Sequence, residues 1–144
     1  MEVSRTFDVS APREVVRTYL ADFSNTVEWD PPTVKCVRRD AGEPRVGSTW
    51  DNTTKMGRST TELVYELTEL TDTGLVFRGE NGSVVAEDHI TFVETGPGRT
   101  RITYHATLSF KGFRKLADPI AKLGFTRLAK DVVANITREV EKRA

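Results

Sequence analysis

The residues best suited to chemistry sit where their surroundings are apolar. In Ala86-Glu87-Asp88-His89-Ile90-Thr91-Phe92, Asp88 shares its parity with Ile90 and Phe92, so in a strand its carboxylate points to the face those side chains bury. A carboxylate in an apolar interior is costly unless paired or protonated, and the same burial raises its pKa toward the range of a general acid or base. Tyr104 lies on the apolar side of Ile102-Thr103-Tyr104-His105-Ala106-Thr107-Leu108, where its hydroxyl can hold a ligand oxygen; Tyr65 and Asn52 can do the same. Asp88 and Tyr104 are thus the candidate catalytic pair. Each has a plainer alternative: Asp88 solvated at the start of its strand or paired with Arg5, and tyrosines that satisfy their hydroxyls on a neighbour.

Other chemistries lack their parts. His89 and His105 have outward parity, and if Phe92 pairs with Ile102 they face each other on the outer surface, a poor metal site whose imidazoles would repel below about pH 6. The lone cysteine, Cys36, cannot form an internal disulfide and reads as a small buried hydrophobe. There is no Gly-x-Ser-x-Gly turn and no phosphate loop, so covalent hydrolysis and nucleotide chemistry are not expected. No metal and no redox cofactor is expected. With 21 basic and 21 acidic residues the net charge is zero, which does not suit nucleic-acid binding. No run approaches the roughly 18 to 20 apolar residues of a membrane span, and Met1-Glu2-Val3-Ser4-Arg5 lacks the order of a signal peptide, so a cytoplasmic location is expected.

The elements that must position these groups follow from composition and punctuation. The 144 residues suit one domain, 1–144, and 19 Thr and 16 Val favour strands. Between Val34 and Phe110, turn signals at Gly42-Glu43-Pro44, Met56-Gly57, Asp72-Thr73-Gly74, Asn81-Gly82 and Gly96-Pro97-Gly98 separate six short runs, an antiparallel meander. Val3 to Val9 adds a seventh strand. Ser10-Ala11-Pro12-Arg13-Glu14 opens a short helix with Ser10 as its cap, and a second short helix covers Phe23 to Glu28 before Pro31-Pro32. From Asp118-Pro119 onward, Ile120, Leu123, Leu128, Val132, Ile136 and Val140 repeat at helical spacing, a helix of more than five turns whose stripe needs the inward face of the sheet.

This order resembles the START-like helix-grip superfamily, and more closely its SRPBCC branch of polyketide cyclase/dehydrase and lipid-transport-like proteins. The resemblance rests on Ala11-Pro12 with Glu14-Val15-Val16, Leu20-Ala21-Asp22-Phe23, Trp29-Asp30-Pro31, Val46-Gly47-Ser48-Thr49-Trp50, Val64-Tyr65-Glu66-Leu67 with Thr68-Glu69-Leu70, Leu75-Val76-Phe77-Arg78 and Gly98-Arg99-Thr100-Arg101-Ile102-Thr103-Tyr104. It implies an α+β helix-grip fold: a seven-stranded curved antiparallel sheet around a long C-terminal helix, two short helices after the first strand, and a ligand cavity between sheet and helix. Parity and the helix stripe then make Trp50, Asn52, Tyr65, Phe77, Ile90, Phe92, Leu108, Leu123 and Leu128 candidate ligand-binding residues, and the resemblance adds Trp29 near the cavity.

The neutral chain is also divided. Residues from Lys111 onward carry nine basic and four acidic side chains, a net +5 that leaves −5 on residues 1–110. This reads either as a basic face for an acyl-carrier protein, a phospholipid head group or an anionic ligand, or as the solvated side of an amphipathic helix. The functional expectation is a binder of a polyketide- or lipid-like small molecule, with cyclase or dehydratase action through orientation and proton shuttling. The alternatives are a non-catalytic carrier or sensor, and a module that binds another protein or a second copy of itself. A cavity under about 300 Å³ in which Asp88 and Tyr104 satisfy each other would weigh against the small-molecule readings.

Overall fold

The turn signals at Gly42-Glu43-Pro44, Asp72-Thr73-Gly74, Asn81-Gly82 and Gly96-Pro97-Gly98 divide the chain where the sequence expects, while Gly57 and the expected helix cap Asp118 lie outside the described residues. The computed structural model describes residues 1–56, 58–111 and 119–144, and their side chains except at 56 and 119–127. Seven strands, β1 (Glu2–Val9), β2 (Thr33–Arg38), β3 (Thr49–Met56), β4 (Ser59–Leu70), β5 (Gly74–Glu80), β6 (Val84–Gly96) and β7 (Arg99–Phe110), form one antiparallel sheet. The order β1-β7-β6-β5-β4-β3-β2 is a meander closed at one edge by the N-terminal strand. Gly42 and Gly98 adopt φ of 86° and 68° in their turns, a conformation in which a Cβ would be strained. Phe92 pairs with Ile102, the condition under which His89 meets His105, and the two imidazole centroids lie 6.2 Å apart on the outer face. Each imidazole is hydrogen-bonded to a carboxylate, His89 to Glu87 and His105 to Glu2.

The first helix, α1 (Arg13–Ala21), starts later than its cap signal implies. Pro12 occupies the cap position without a side-chain hydrogen bond, while the Ser10 amide donates to Glu141 instead. Proline there presets the backbone and has no amide hydrogen of its own to leave unpaired. A 3-10 turn, Phe23–Asn25, runs into α2 (Thr26–Trp29), which ends at Asp30 ahead of the two prolines. The long helix α3 (Pro119–Lys142) buries Ala129, Val132, Ile136 and Val140 in the same core as the inner sheet residues.

The C-terminal turns of α3 are fixed by charge as well as packing. Glu139 is only 4% exposed, yet what covers it is its own counter-ions: Arg143 at 2.9 Å, Arg138 at 3.1 Å and Lys142 at 3.2 Å. Their hydrogen bonds, Arg143's foremost, hold its carboxyl down to about 2. Arg143 also lies 4.4 Å over the Tyr19 ring and 3.4 Å from Glu28, whose carboxylate accepts from the Tyr19 hydroxyl, so one guanidinium joins α1, α2 and α3. Because the shift is downward, this stabilisation is complete above the ordinary glutamate pKa and lost as pH falls toward 2. Arg143→Ala should therefore lower Tm by several degrees at pH 7 and by less at pH 2, measured by thermal melts at both values.

Candidate functional site

Cross-strand register places the two candidate catalytic groups together. Asp88 lies opposite Ala106 and Tyr104 opposite Ile90, so the two are diagonal neighbours on the inner face, and the Tyr104 hydroxyl donates to Asp88 Oδ1 at 3.3 Å. Arg5 does not reach them: its guanidinium donates to the Ser4 carbonyl, and Asp88 is 8% exposed rather than solvated at a rim. Burial, then the charge of Asp30, push the Asp88 carboxyl up to about 7, with the Tyr104 hydrogen bond opposing them.

Both groups open onto a cavity of about 210 Å³ between the sheet, the α2 corner and α3. Its inner end is made by Trp29, Asp30 and Thr33 from the corner and by Asn52, Tyr65, Asp88 and Tyr104 from the sheet. From there it follows the strands past Ala86 and Ala106 toward the half-buried Leu108 and Phe110, with Leu128, Ala129 and Val132 of α3 as its roof. Deeper along the same strands the space is filled: Ile90, Phe92 and Ile102 are fully buried.

A second carboxyl, Asp30, belongs to this site and was not singled out from the sequence. The Thr33 hydroxyl donates to its Oδ2 at 2.5 Å; burial raises its pKa to about 6, with that hydrogen bond opposing. Thr33 in turn accepts from Asn52 Nδ2 at 3.4 Å, and Asn52 Oδ1 accepts from Thr54 at 2.8 Å, so a polar chain ties β3 to the corner. An acid ahead of Pro31-Pro32 carries no mark of its own in the sequence that separates a carboxyl on a cavity wall from an exposed turn residue. The available signal was its adjacency to Trp29, whose ring is 2% exposed, 5.9 Å from Tyr104, and whose carbonyl accepts from Asn135 of α3.

Tyr65 depends on a residue without a side chain. It pairs with Gly79, and a Cβ built there would sit 2.5 Å from the phenol ring, so the ring lies directly on the strand backbone. Phe23 covers its other side with centroids 4.3 Å apart. Glycine inside a strand marks close approach of this kind, the signal by which Gly79 could have been found. Burial, and then the charge of Asp88, raise both the Tyr65 and Tyr104 hydroxyls well above the ordinary tyrosine value, so both remain protonated donors.

Of the residues expected to bind ligand, the cavity brings together Trp29, Asn52, Tyr65, Leu108 and Leu128 with Asp88 and Tyr104. Trp50, Phe77, Ile90 and Phe92 share the inner face but are fully buried and contribute nothing to the cavity wall. Their place is the packed half of the sheet, where Trp50 and Phe77 meet edge to face at 5.5 Å and Trp50 Nε1 donates to Ser24 at 3.1 Å. Parity settles which face a side chain takes, whereas its position along the strand settles whether a helix covers it. The Leu123 side chain lies outside the described residues. Cys36 is buried and free, as a small hydrophobe.

Comparison with known proteins agrees with this architecture. The sequence profile described as "Polyketide cyclase / dehydrase and lipid transport" matches residues 1–141. No curated protein matches the sequence. Among solved structures, the Zhui aromatase/cyclase from Streptomyces sp. R1128 superposes with a TM-score of 0.78 at 17% identity, covering 99% of this chain and 94% of that one. A START superfamily protein from Mycobacterium smegmatis gives 0.70 at 18% identity, with 99% and 95% covered. A protein from Deinococcus radiodurans gives 0.72 at 14% identity, with 100% and 99% covered. Likeness at these identities establishes the fold, and the profile establishes kinship: the chain belongs to the polyketide cyclase/dehydrase and lipid transport family.

Proposed function

We propose that the protein binds a small hydrophobic molecule in the cavity, its polar end against Asp88, Tyr104 and Asp30. The observation that carries this is a buried carboxyl with pKa near 7 at the inner end of an otherwise apolar cavity. A chain selected for stability alone would replace that carboxyl with an apolar group, so its retention points to use.

The size narrows the guest. At about 210 Å³ the cavity is below the roughly 300 Å³ at which sites for drug-sized ligands begin, and Asp88 and Tyr104 do partner each other. Both facts weigh against the small-molecule readings, most of all against an extended polyketide held entirely inside. An apolar cavity of roughly 150 Å³ holds benzene, so one or two rings or a short acyl chain fit here, with any remainder passing Leu108 and Phe110. A panel of one- and two-ring aromatic and short acyl probes should raise Tm, by about 2.7 kcal/mol of stability at a hundredfold excess over Kd. A panel with no shift in thermal melts overturns the reading.

The cyclase or dehydratase reading draws on the same carboxyl. Asp88 takes a proton from a carbon beside a carbonyl and returns it to a hydroxyl that leaves as water, while Tyr65 donates to the carbonyl oxygen. The mutual pairing of Asp88 and Tyr104 favours a carrier without chemistry instead. An acyl-carrier or second-copy partner gains little from the end of α3, because Arg138, Lys142 and Arg143 close on Glu139 and Glu28.

A further inference from the structure

Building on the binding reading above, the hydrogen-bond inventory of the inner cavity says what the guest's polar end must be. Most of the donors there are already engaged: Thr33 on Asp30, Asn52 on Thr33, Thr54 on Asn52, Thr26 on the Phe23 carbonyl and Tyr104 on Asp88. Asp30 Oδ1 and Asp88 Oδ2 have no partner among the described residues, the Tyr65 hydroxyl is uncommitted and can also accept, and Trp29 Nε1 is a buried donor left without a partner. A guest that satisfies both carboxylates therefore has to bring donors.

Charge points the same way. Two carboxyls face this end of the cavity, and among the described residues its wall carries no lysine, arginine or histidine. Aromatic rings complete the enclosure: Trp29 stands edge-on to Tyr104 with centroids 5.9 Å apart, and Phe23 lies 4.3 Å from Tyr65. Two acids inside an aromatic wall fit a cation, because ring faces attract it and its charge offsets the cost of the buried Asp88 and half-buried Asp30 carboxylates. An ammonium supplies three donors on one compact group, as many as the two free carboxylate oxygens and Tyr65 can accept. A carboxylate guest would add a third negative group, with only the neutral donors of Tyr65 and the Trp29 indole to receive it and no cationic side chain among the described residues of the wall.

We propose that the ligand is a small lipophilic amine, bound head first with its ammonium between Asp30 and Asp88 and its apolar body lying along Ala106 and Leu108.

The test uses three probes of one shape, 2-(2-naphthyl)ethylamine, 2-(2-naphthyl)ethanol and 2-naphthylacetate, titrated into the intact protein at pH 7.5 by calorimetry. The amine should bind at least about tenfold tighter than the alcohol, the margin of a charge-assisted contact, and the acetate weakest of all. Asp88→Asn should weaken the amine by about tenfold or more while changing the alcohol by less than about threefold, and Asp30→Asn should do likewise. Equal binding of amine and alcohol, or tightest binding of the acetate, overturns the amine assignment and leaves the cavity as a binding site. Failure of all three overturns the binding reading itself.

Discussion

Asp88→Asn raises the melting temperature at pH 8 by roughly 5–10 °C and leaves it nearly unchanged at pH 4. The sign follows from the direction of the shift. Burial lifts this carboxyl from 3.8 to about 7, so between those values the folded protein holds a proton that the unfolded chain has released. Stability then falls as pH rises through that window, and above about pH 7 the loss is complete, on the order of 4 kcal/mol. Asparagine keeps an acceptor for the Tyr104 hydroxyl and never has to ionise, so it removes the loss where it exists and does nothing at pH 4, where aspartic acid is protonated in the fold. The wild-type protein should also melt progressively lower from pH 5 to pH 8, with Asp30, raised to about 6 by burial, adding to the same slope. Glu139 shifts the other way and acts only at lower pH, so the two limbs of the profile have separate owners. Thermal melts of both proteins across pH 4 to 8 read all of this.

The second large effect comes from one methyl group. Gly79→Ala should destabilise the protein by about 2–3 kcal/mol and weaken a cavity ligand by at least tenfold. The new Cβ would sit 2.5 Å from the Tyr65 ring, which cannot move outward through the strand and has Phe23 on its other side at 4.3 Å. The ring has to swing into the cavity that Tyr65 lines. Tyr65→Leu in the same chain removes the clash, so the double variant should be more stable than Gly79→Ala alone, a coupling that a mere strand-propensity effect of alanine would not produce. Denaturant unfolding of the two single variants and the double measures it.

How far the sequence carries can be seen in particular residues. Alternation in β6 and β7 gives the inner face, while the Phe92–Ile102 pairing, which parity allows but does not fix, sets His89 against His105 and brings Asp88 and Tyr104 together on the diagonal. The α3 stripe is equally plain, because Val132, Ile136 and Val140 recur at helical spacing and each finds the sheet. What alternation lacks is a coordinate along the strand. Trp50 and Asn52 have the same parity, yet Trp50 is sealed beneath the 3-10 turn while Asn52 borders the cavity. Asp30 and Gly79 illustrate a different limit: their importance comes from what another part of the chain brings against them, a sheet in one case and a phenol ring in the other. Ser10 shows a local signal overridden, since Pro12 can start the helix without a side-chain cap.

The central claim is that Asp88 is a buried, ionisable wall of a working cavity. A carbon-13 NMR titration of the aspartate side-chain carboxyls tests it most directly, run on the protein alone and with 2-(2-naphthyl)ethylamine. One carboxyl, assigned to Asp88 by its loss in Asp88→Asn, should titrate near pH 7 and shift to lower pH when the amine is bound, while Asp8 and Asp51, held below the ordinary range by Arg101 and Arg39, stay where they are. A midpoint near 4 for Asp88, unmoved by the probe, would contradict the account.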